Sequence, residues 1–219
     1  MMRAYKETYL NDAADIFGSM MDYAVNDCGL DGDQYLHMFI VSGLAQRFER
    51  GVPKVVAGMS GVDLATKAIS SITDKAPTTK PSQLNCRTPE YWGGWALAQY
   101  QWYSARSFAT IQRFLPFSDI INMYPTLHEA DITKFCSVAD EIYSQKYPQT
   151  NLKRIREASR FSQARLSSEA KVSLRSIQMY EQRNKDVNKA QAITLVKIAR
   201  ALGCDVEDLL EIRNAPPGC

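Results

Sequence analysis

Four side chains share the outer face of one helix predicted in the last third of the chain. Apolar spacing places Ile177 and Tyr180 on the inner face of a segment that starts after Ser173. The outer face carries Leu174, Arg175, Gln178 and Met179. An arginine fork can bind two acceptors of a guanine, and an apolar side chain can contact a thymine methyl group. We therefore expect these four residues to reach base edges in the major groove of double-stranded DNA.

Polar and basic residues around that helix are suited to binding phosphate. Ser173 is predicted to cap the helix and leave its N-terminus facing outward, where free amide groups and the helix dipole favour an anion. The residues from which further backbone contacts are expected are Arg165, Arg183, Asn184 and Lys185. The alternative for the loop residues among them is a solvated surface with no role in binding.

The distribution of charge separates the last third of the chain from the rest. Residues 1–148 hold 13 Lys and Arg against 16 Asp and Glu, whereas residues 149–203 hold 12 against 4. The formal net charge of the whole chain is only +2, so the total conceals this division. Such asymmetry indicates a part that binds nucleic acid, although a basic run alone is also typical of a solvated face.

A small helical domain is predicted over residues 150–212 to position these side chains. Its helices are expected at 152–158, capped by Thr150 or Asn151, at 163–170, capped by Ser162, at 174–182, capped by Ser173, at 190–202, ended by Gly203, and at 206–210. Two short helices joined by a tight turn bury little surface alone, so they need a shared core. The expected core is Leu166, Ala170, Val172 and Ile177, closed by Leu195, Ile198 and Leu202.

Many residues of this domain match a known family in type and spacing. They are Ser162-Gln163, Leu166, Val172-Ser173, Ile177, Tyr180-Glu181, Leu195, Ile198-Ala199, Ala201-Leu202-Gly203 and Val206-Glu207-Asp208-Leu209-Leu210. This set resembles the Cro/repressor-type (XRE) helix-turn-helix family. The resemblance implies a five-helix domain that binds DNA, usually as a dimer on a two-fold site. It also implies that Gln163 contacts phosphate and that the outer-face residues of the third helix, 174, 175, 178 and 179, face the bases.

Two positions depart from the pattern of the family. The turn position that the family usually fills with glycine is Lys171, which predicts a non-glycine residue at positive φ. The loop at 182–187 lacks the glycine and proline that are frequent there. A degenerate module that serves only in dimerisation is the alternative that these departures leave open.

The first 148 residues also have the periodicity of helices, so the predicted fold class is all-α. Helices are expected at Tyr9–Cys28, at Asp33–Glu49, from Ser60 or Gly61 to Ile72, from Pro89 to about Arg106, and at 107–115, 118–123 and 129–146. A loop is expected from Asp74 to Arg87. The predicted domains are therefore 1–148 and 150–212, separated by Pro148-Gln149-Thr150 and followed by a tail at 213–219.

An aromatic-rich stretch at 91–103 has two interpretations. It is either a helix buried in the core, with Gly93 and Gly94 permitting close approach, or the wall of a ligand pocket or base-stacking platform. We expect core packing, because the surrounding residues are not basic. A turn and a helix start are expected near His128, with Thr126 or His128 as the cap.

The sequence offers no recognisable catalytic motif, and we expect no enzymatic activity and no cofactor. The five cysteines, Cys28, Cys86, Cys136, Cys204 and Cys219, are scattered and form no C-x-x-C pair, so no structural metal is expected. No apolar stretch is long enough to span a membrane, and the first residues lack the apolar core of a signal peptide. These observations predict a cytoplasmic protein.

The predicted function is that of a bacterial-type transcriptional regulator, acting as a repressor and binding an operator as a homodimer. The 1–148 domain is expected to sense a signal, oligomerise or bind a partner protein. The alternative is an antitoxin, in which this domain binds a toxin and the C-terminal domain represses the operon. A third interpretation, an enzyme with an attached DNA-binding domain, lacks a catalytic constellation.

Overall fold

A computed structural model describes residues 4–82 and 87–211 of the chain. All regular elements in these two ranges are helices, which confirms the predicted all-α class. None of the described helices is long and apolar enough to cross a membrane. The predicted tail at 213–219, Cys86 and Cys219 lie outside the described residues.

Two compact units make up the chain, and the division between them falls at Tyr143 and Ser144. This point lies inside a helix, a few residues before the boundary predicted at 148–150. The helices that begin before the division are α1 Leu10–Asp22, extended by a π-helical turn at Tyr23–Asp27, α2 Gly32–Val41, α3 Leu44–Glu49, α4 Pro53–Val56, α5 Gly61–Thr73, α6 Pro89–Ser104, α7 Phe108–Phe114, α8 Phe117–Leu127 and α9 Ile132–Lys146.

The prediction of one helix over Asp33–Glu49 is wrong in one respect, because the structure has two helices there, α2 and α3. Gly43 lies between them with a φ of 75°, a left-handed conformation that ends one helix and redirects the chain. The apolar spacing continues across the break, since both helices face the same core. The short helix α4, which begins at Pro53, was missed because four residues show no period.

The chain turns at His128 and Glu129, as predicted, but the cap predicted for the next helix is wrong. Helix α8 continues through Pro125 to Leu127, and His128 follows as its C-terminal residue instead of capping the next helix. Asp131 takes the capping role, because its carboxylate accepts a 2.8 Å hydrogen bond from the backbone N–H of Thr133. A proline inside a helix removes one hydrogen bond, and in the sequence it resembles a stop signal.

Aromatic rings fill the core of the N-terminal unit. The rings of Phe17 and Phe108 are stacked with centroids 4.7 Å apart, and Phe39 and Phe48 meet Phe17 edge-on. All four side chains are fully buried. This arrangement joins α1, α2, α3 and α7 around one centre and supplies large apolar area to the core.

Helix α6 packs closely against α1, which confirms the core-packing interpretation of the aromatic stretch. Trp92, Tyr100 and Trp102 are buried. A Cβ atom added at Gly94 would lie 2.8 Å from the backbone oxygen of Phe17. Because backbone atoms of α1 occupy that space, only glycine permits the observed approach of the two helices.

We predict that Gly94→Ala lowers the free energy of unfolding by about 1–2 kcal/mol, since steric overlap with α1 outweighs the gain in helix propensity. Urea unfolding followed by circular dichroism measures the change. Ser71→Ala on the exposed side of α5 is the control, with an expected change within about 0.5 kcal/mol. Equal stability of the two variants would contradict the close approach of α1 and α6.

Candidate nucleic-acid interface

The C-terminal unit contains the five helices that the sequence predicts. They are α10 Asn151–Ala158, α11 Gln163–Ala170, α12 Leu174–Glu181, α13 Ala192–Leu202 and α14 Val206–Leu209. The side chains of Thr150, Ser162 and Ser173 accept hydrogen bonds from backbone N–H groups in the first turns of α10, α11 and α12. Gly203 ends α13 in the left-handed conformation. The predicted caps are therefore confirmed, and Thr150 caps the first helix in preference to Asn151.

One apolar core holds these helices together. Leu166, Ile177 and Ile198 are completely buried, and Val172 packs against them from the turn. The other predicted members, Ala170, Leu195 and Leu202, belong to the same cluster. Burial of one side of α12 by this cluster leaves its other side available for a ligand.

The turn between α11 and α12 has the strained residue that the sequence predicts. Lys171 adopts a φ of 50°, the left-handed conformation that glycine adopts without steric cost. The Ser167 hydroxyl donates a 2.7 Å hydrogen bond to the carbonyl of Val172, and this bond closes the turn. The helix-turn-helix geometry is thus retained without glycine.

A buried ion pair fixes α12 relative to the two preceding helices. The Arg156 Nε donates to Glu181 Oε1 at 2.6 Å, and its Nη2 donates to Oε2 at 2.9 Å. Hydrogen bonding to Glu181 raises the pKa of Arg156 above its ordinary value. The side-chain amide of Gln163 donates to the same carboxylate at 2.8 Å. One carboxylate of α12 therefore binds residues of both α10 and α11.

The sequence does not predict this network, because Glu181 stands out there only as part of the family pattern. Arg156 also donates a 2.7 Å hydrogen bond to the carbonyl of Phe161, in the turn between α10 and α11. Two charged residues 25 positions apart give no local signal of pairing. Their only sequence signal is that both fall at positions where the helical period requires a buried residue.

The predicted base-reading residues lie on the side of α12 that the core leaves uncovered. Leu174 and Arg175 are exposed, whereas Gln178 and Met179 are half-buried. Leu174 is 39% exposed and is one of four large apolar residues exposed in the described part of the chain. Among the described residues, no hydrogen bond or ion pair engages the side chain of Arg175.

The predicted phosphate-binding residues are placed differently from one another. The Arg165 guanidinium stacks on the Phe161 ring at 4.1 Å, and the Lys185 ammonium lies 5.6 Å from the centre of the Tyr180 ring. The Asn184 side chain donates a 3.1 Å hydrogen bond to Gln182. Ser173 is exposed at the start of α12, and Gln163 keeps one amide hydrogen beyond the one given to Glu181.

Arg183 differs from the other residues predicted to bind phosphate, because its guanidinium has partners inside the unit. Its Nη2 donates to the carbonyl of Tyr147 at 2.6 Å and forms an ion pair with Glu211 at 3.3 Å. These contacts attach the loop after α12 to the segment that precedes α10. The sequence identified Arg183 as a loop cation, but the geometry gives its charge an internal partner. These internal contacts disfavour a phosphate role for Arg183.

A basic cleft lies beside α12 and includes lysines that the sequence did not single out for binding. Its volume is about 520 Å³, and it is lined by Ser173, Ser176, Gln191, Thr194 and the four lysines Lys171, Lys185, Lys189 and Lys197. Lys189 is paired with Asp186 at 3.2 Å. The four lysines come from the turn, the loop and α13, so only the tertiary structure brings them to one cleft.

Comparison with known protein families identifies the C-terminal segment. Residues 152–209 match the family model described as helix-turn-helix. This segment is an XRE-type helix-turn-helix domain, as the resemblance implied, and no family model matches the N-terminal unit. No curated protein and no solved structure shows significant similarity to the chain.

We predict that Glu181→Ala destabilises this domain by about 3–5 kcal/mol, because it leaves the charge of Arg156 buried without its partner. Hydrogen exchange of peptides from 151–209 in the full chain measures the local loss of protection. Glu169→Ala removes an exposed carboxylate of α11 and should leave the exchange nearly unchanged. Equal protection in the two variants would refute the structural role of the pair.

Proposed function

We propose that the protein is a transcriptional repressor that binds an operator in double-stranded DNA as a homodimer, in the cytoplasm. One observation carries the proposal: the side of α12 that the core leaves uncovered presents Arg175 without an internal partner, next to a cleft lined by four lysines. An arginine without an internal partner is suited to bases, and a lysine cleft is suited to phosphates.

In this proposal α12 enters the major groove and reads base edges. The planar guanidinium of Arg175 binds two acceptors of guanine, and the amide of Gln178 binds adenine in a similar bidentate way. The exposed Leu174 side chain, together with Met179, contacts thymine methyl groups. Exposure of Leu174 has a reason in such a complex, since apolar contact with DNA removes its surface from water.

Phosphate binding positions the domain on the duplex. The free amide groups at the start of α12, next to Ser173, meet one phosphate, and the start of α11, at Gln163, meets another. Lys185 and the neighbouring lysines of the cleft neutralise further phosphates. Arg165 and Asn184 add contacts at the edge of the surface. The charge balance of 12 basic against 4 acidic residues in 149–203 supports this distribution of roles.

Repression follows from the size of the site that a dimer covers. Two recognition helices about one helical turn apart occupy two half-sites, and a dimer bound there excludes other proteins from the same DNA. The N-terminal unit is the proposed dimerisation domain, because it offers more surface than the small helix-turn-helix domain does.

We predict that Arg175→Ala weakens binding to a selected operator by about 1–3 kcal/mol and relaxes the preference at one base position, since a base contact is lost. Lys185→Ala should weaken binding to operator and random DNA alike and lower the magnitude of the log–log salt slope by about one unit. Fluorescence anisotropy with both DNAs at several salt concentrations measures these effects.

Arg47→Ala is the control for these two variants, because it removes an exposed positive charge from α3 in the other unit. It should leave both affinities and the salt slope unchanged. If Arg175→Ala reduced the two affinities equally, the assignment of the reading face would be wrong. If neither Arg175→Ala nor Lys185→Ala changed binding, the helix-turn-helix would not be the DNA contact.

A homodimer is expected in solution and on the operator, because one short recognition helix seldom supplies enough affinity alone. Light scattering at about tens of micromolar protein, with and without operator DNA, measures the mass, and about twice the 24.7 kDa of one chain is the expected value. A monomer under both conditions would remove the dimer from the proposal and leave the DNA contacts untouched.

A further inference from the structure

The N-terminal unit contains a pocket that the proposed DNA binding does not use. It lies between the first half of α6, the end of α8 and the start of α9, and its volume is about 270 Å³. All the residues that line it lie between Arg87 and Phe135, inside the N-terminal unit. The pocket is therefore complete within one unit, and a ligand bound there would not depend on the proposed DNA binding.

Aromatic rings form most of its wall. Tyr91, Trp92 and Trp95 come from α6, where a spacing of three and four residues places Trp95 beside the other two. Trp92 meets Tyr124 edge-on at 5.6 Å and Phe135 edge-on at 5.7 Å. The pocket is thus lined on several sides by the faces and edges of aromatic rings. Such a lining favours a flat ligand that can stack on them.

The ionisable groups of the wall, apart from the tyrosines, are basic. Arg87 lies over the Tyr91 ring at 4.8 Å, and its side chain is 68% exposed at the rim. His128 stacks on Tyr124 at 4.4 Å and holds its Nδ1 2.8 Å from the Tyr124 carbonyl, so that nitrogen carries the hydrogen. A wall with a guanidinium disfavours a cationic guest and favours an acidic group on the ligand.

Two carboxylates that do not line the pocket lie close to these basic groups and compete only weakly for them. Asp15 is 3.7 Å from the Arg87 guanidinium, and it also accepts a 2.8 Å hydrogen bond from the Tyr91 hydroxyl. Glu129 is 3.6 Å from Nε2 of His128, and its side chain is 89% exposed. Exposed pairs at these distances contribute little, so a ligand carboxylate can replace them.

We propose that this pocket binds a planar aromatic acid of one or two fused rings, with the ring between the aromatic side chains of α6 and α8 and the carboxylate beside Arg87. The volume sets the size limit, since ligand pockets for larger molecules span roughly 300–1,000 Å³. The ring of the ligand stacks on the aromatic side chains. The guanidinium of Arg87 makes the pocket prefer an acid to a neutral or cationic analogue.

Isothermal titration of the full chain with 2-naphthoate, 2-naphthamide and 2-naphthyl-trimethylammonium tests the proposal. For a ligand of this size, binding with a dissociation constant of about 1 mM or tighter is expected for 2-naphthoate. The amide should bind about three-fold more weakly and the cation more weakly still, because they lose the contact with Arg87. Quenching of tryptophan fluorescence should accompany binding, since Trp92 and Trp95 line the pocket.

Three variants locate the binding site. Trp95→Ala should weaken 2-naphthoate about tenfold through lost stacking. Ala130→Trp fills the pocket from the exposed loop between α8 and α9 and should abolish binding without removing a core contact. Arg87→Gln should abolish the preference for the acid over the amide and leave the affinity for the amide unchanged.

Matched controls lie outside the pocket in the same unit. Tyr9→Ala removes a half-buried ring, and Arg47→Gln removes an exposed charge. Both should bind 2-naphthoate as the unmodified chain does. Absence of saturable 2-naphthoate binding, unchanged binding by Ala130→Trp, or a preference for the cation would each overturn the proposal, and circular dichroism verifies that every variant is folded.

Discussion

The buried contact between Arg156 and Glu181 determines where helix α12 lies. Removing two charges from water costs several kcal/mol, so the pair is tolerable only in a geometry that satisfies nearly all of its hydrogen bonds. Glu157, Gln163 and the carbonyl of Phe161 supply further partners. Because these partners come from α10, α11 and the turn between them, α12 cannot rotate without leaving a buried charge unpaired. The orientation of its outer face follows from that constraint.

Charge at the surface of the C-terminal unit is arranged in two ways. Arg183 uses its guanidinium inside the unit, where it holds the segment at Tyr147 to the loop after α12. Lys185 and Lys197 leave their charges at the edge of a cleft. Net charge alone does not distinguish the two kinds of cation, since both add equally to the basic total. The distinction is one of hydrogen-bond geometry, and it separates a structural arginine from lysines available to phosphate.

Aromatic residues of helix α6 have two roles in the N-terminal unit: some pack in the core, and some line the pocket. The side of α6 with Gly94 and Tyr100 is buried in the core, where a glycine permits contact with α1. Trp92 belongs to the core and also to the wall of the pocket, and the half-buried Trp95 stands further out. Core packing and a ligand pocket, which are alternatives in the sequence, are therefore compatible in the fold.

The sequence by itself determined the class of the fold, the approximate bounds of α10 to α14, the caps of the first three of these helices, the core of the helix-turn-helix and the face of α12 that this core leaves uncovered. These features depend on neighbours three or four positions apart, and local spacing records them. Four other features became known only from the tertiary structure. They are the break at Gly43, the passage of α8 through Pro125, the partner of Arg183 and the lysine cleft. At Gly43 the apolar spacing continues across the break, and at Pro125 a helix continues through a residue that resembles a stop signal. The Arg183 contact and the lysine cleft depend on atoms from distant segments, and no local pattern specifies which of several chemically equivalent residues will meet.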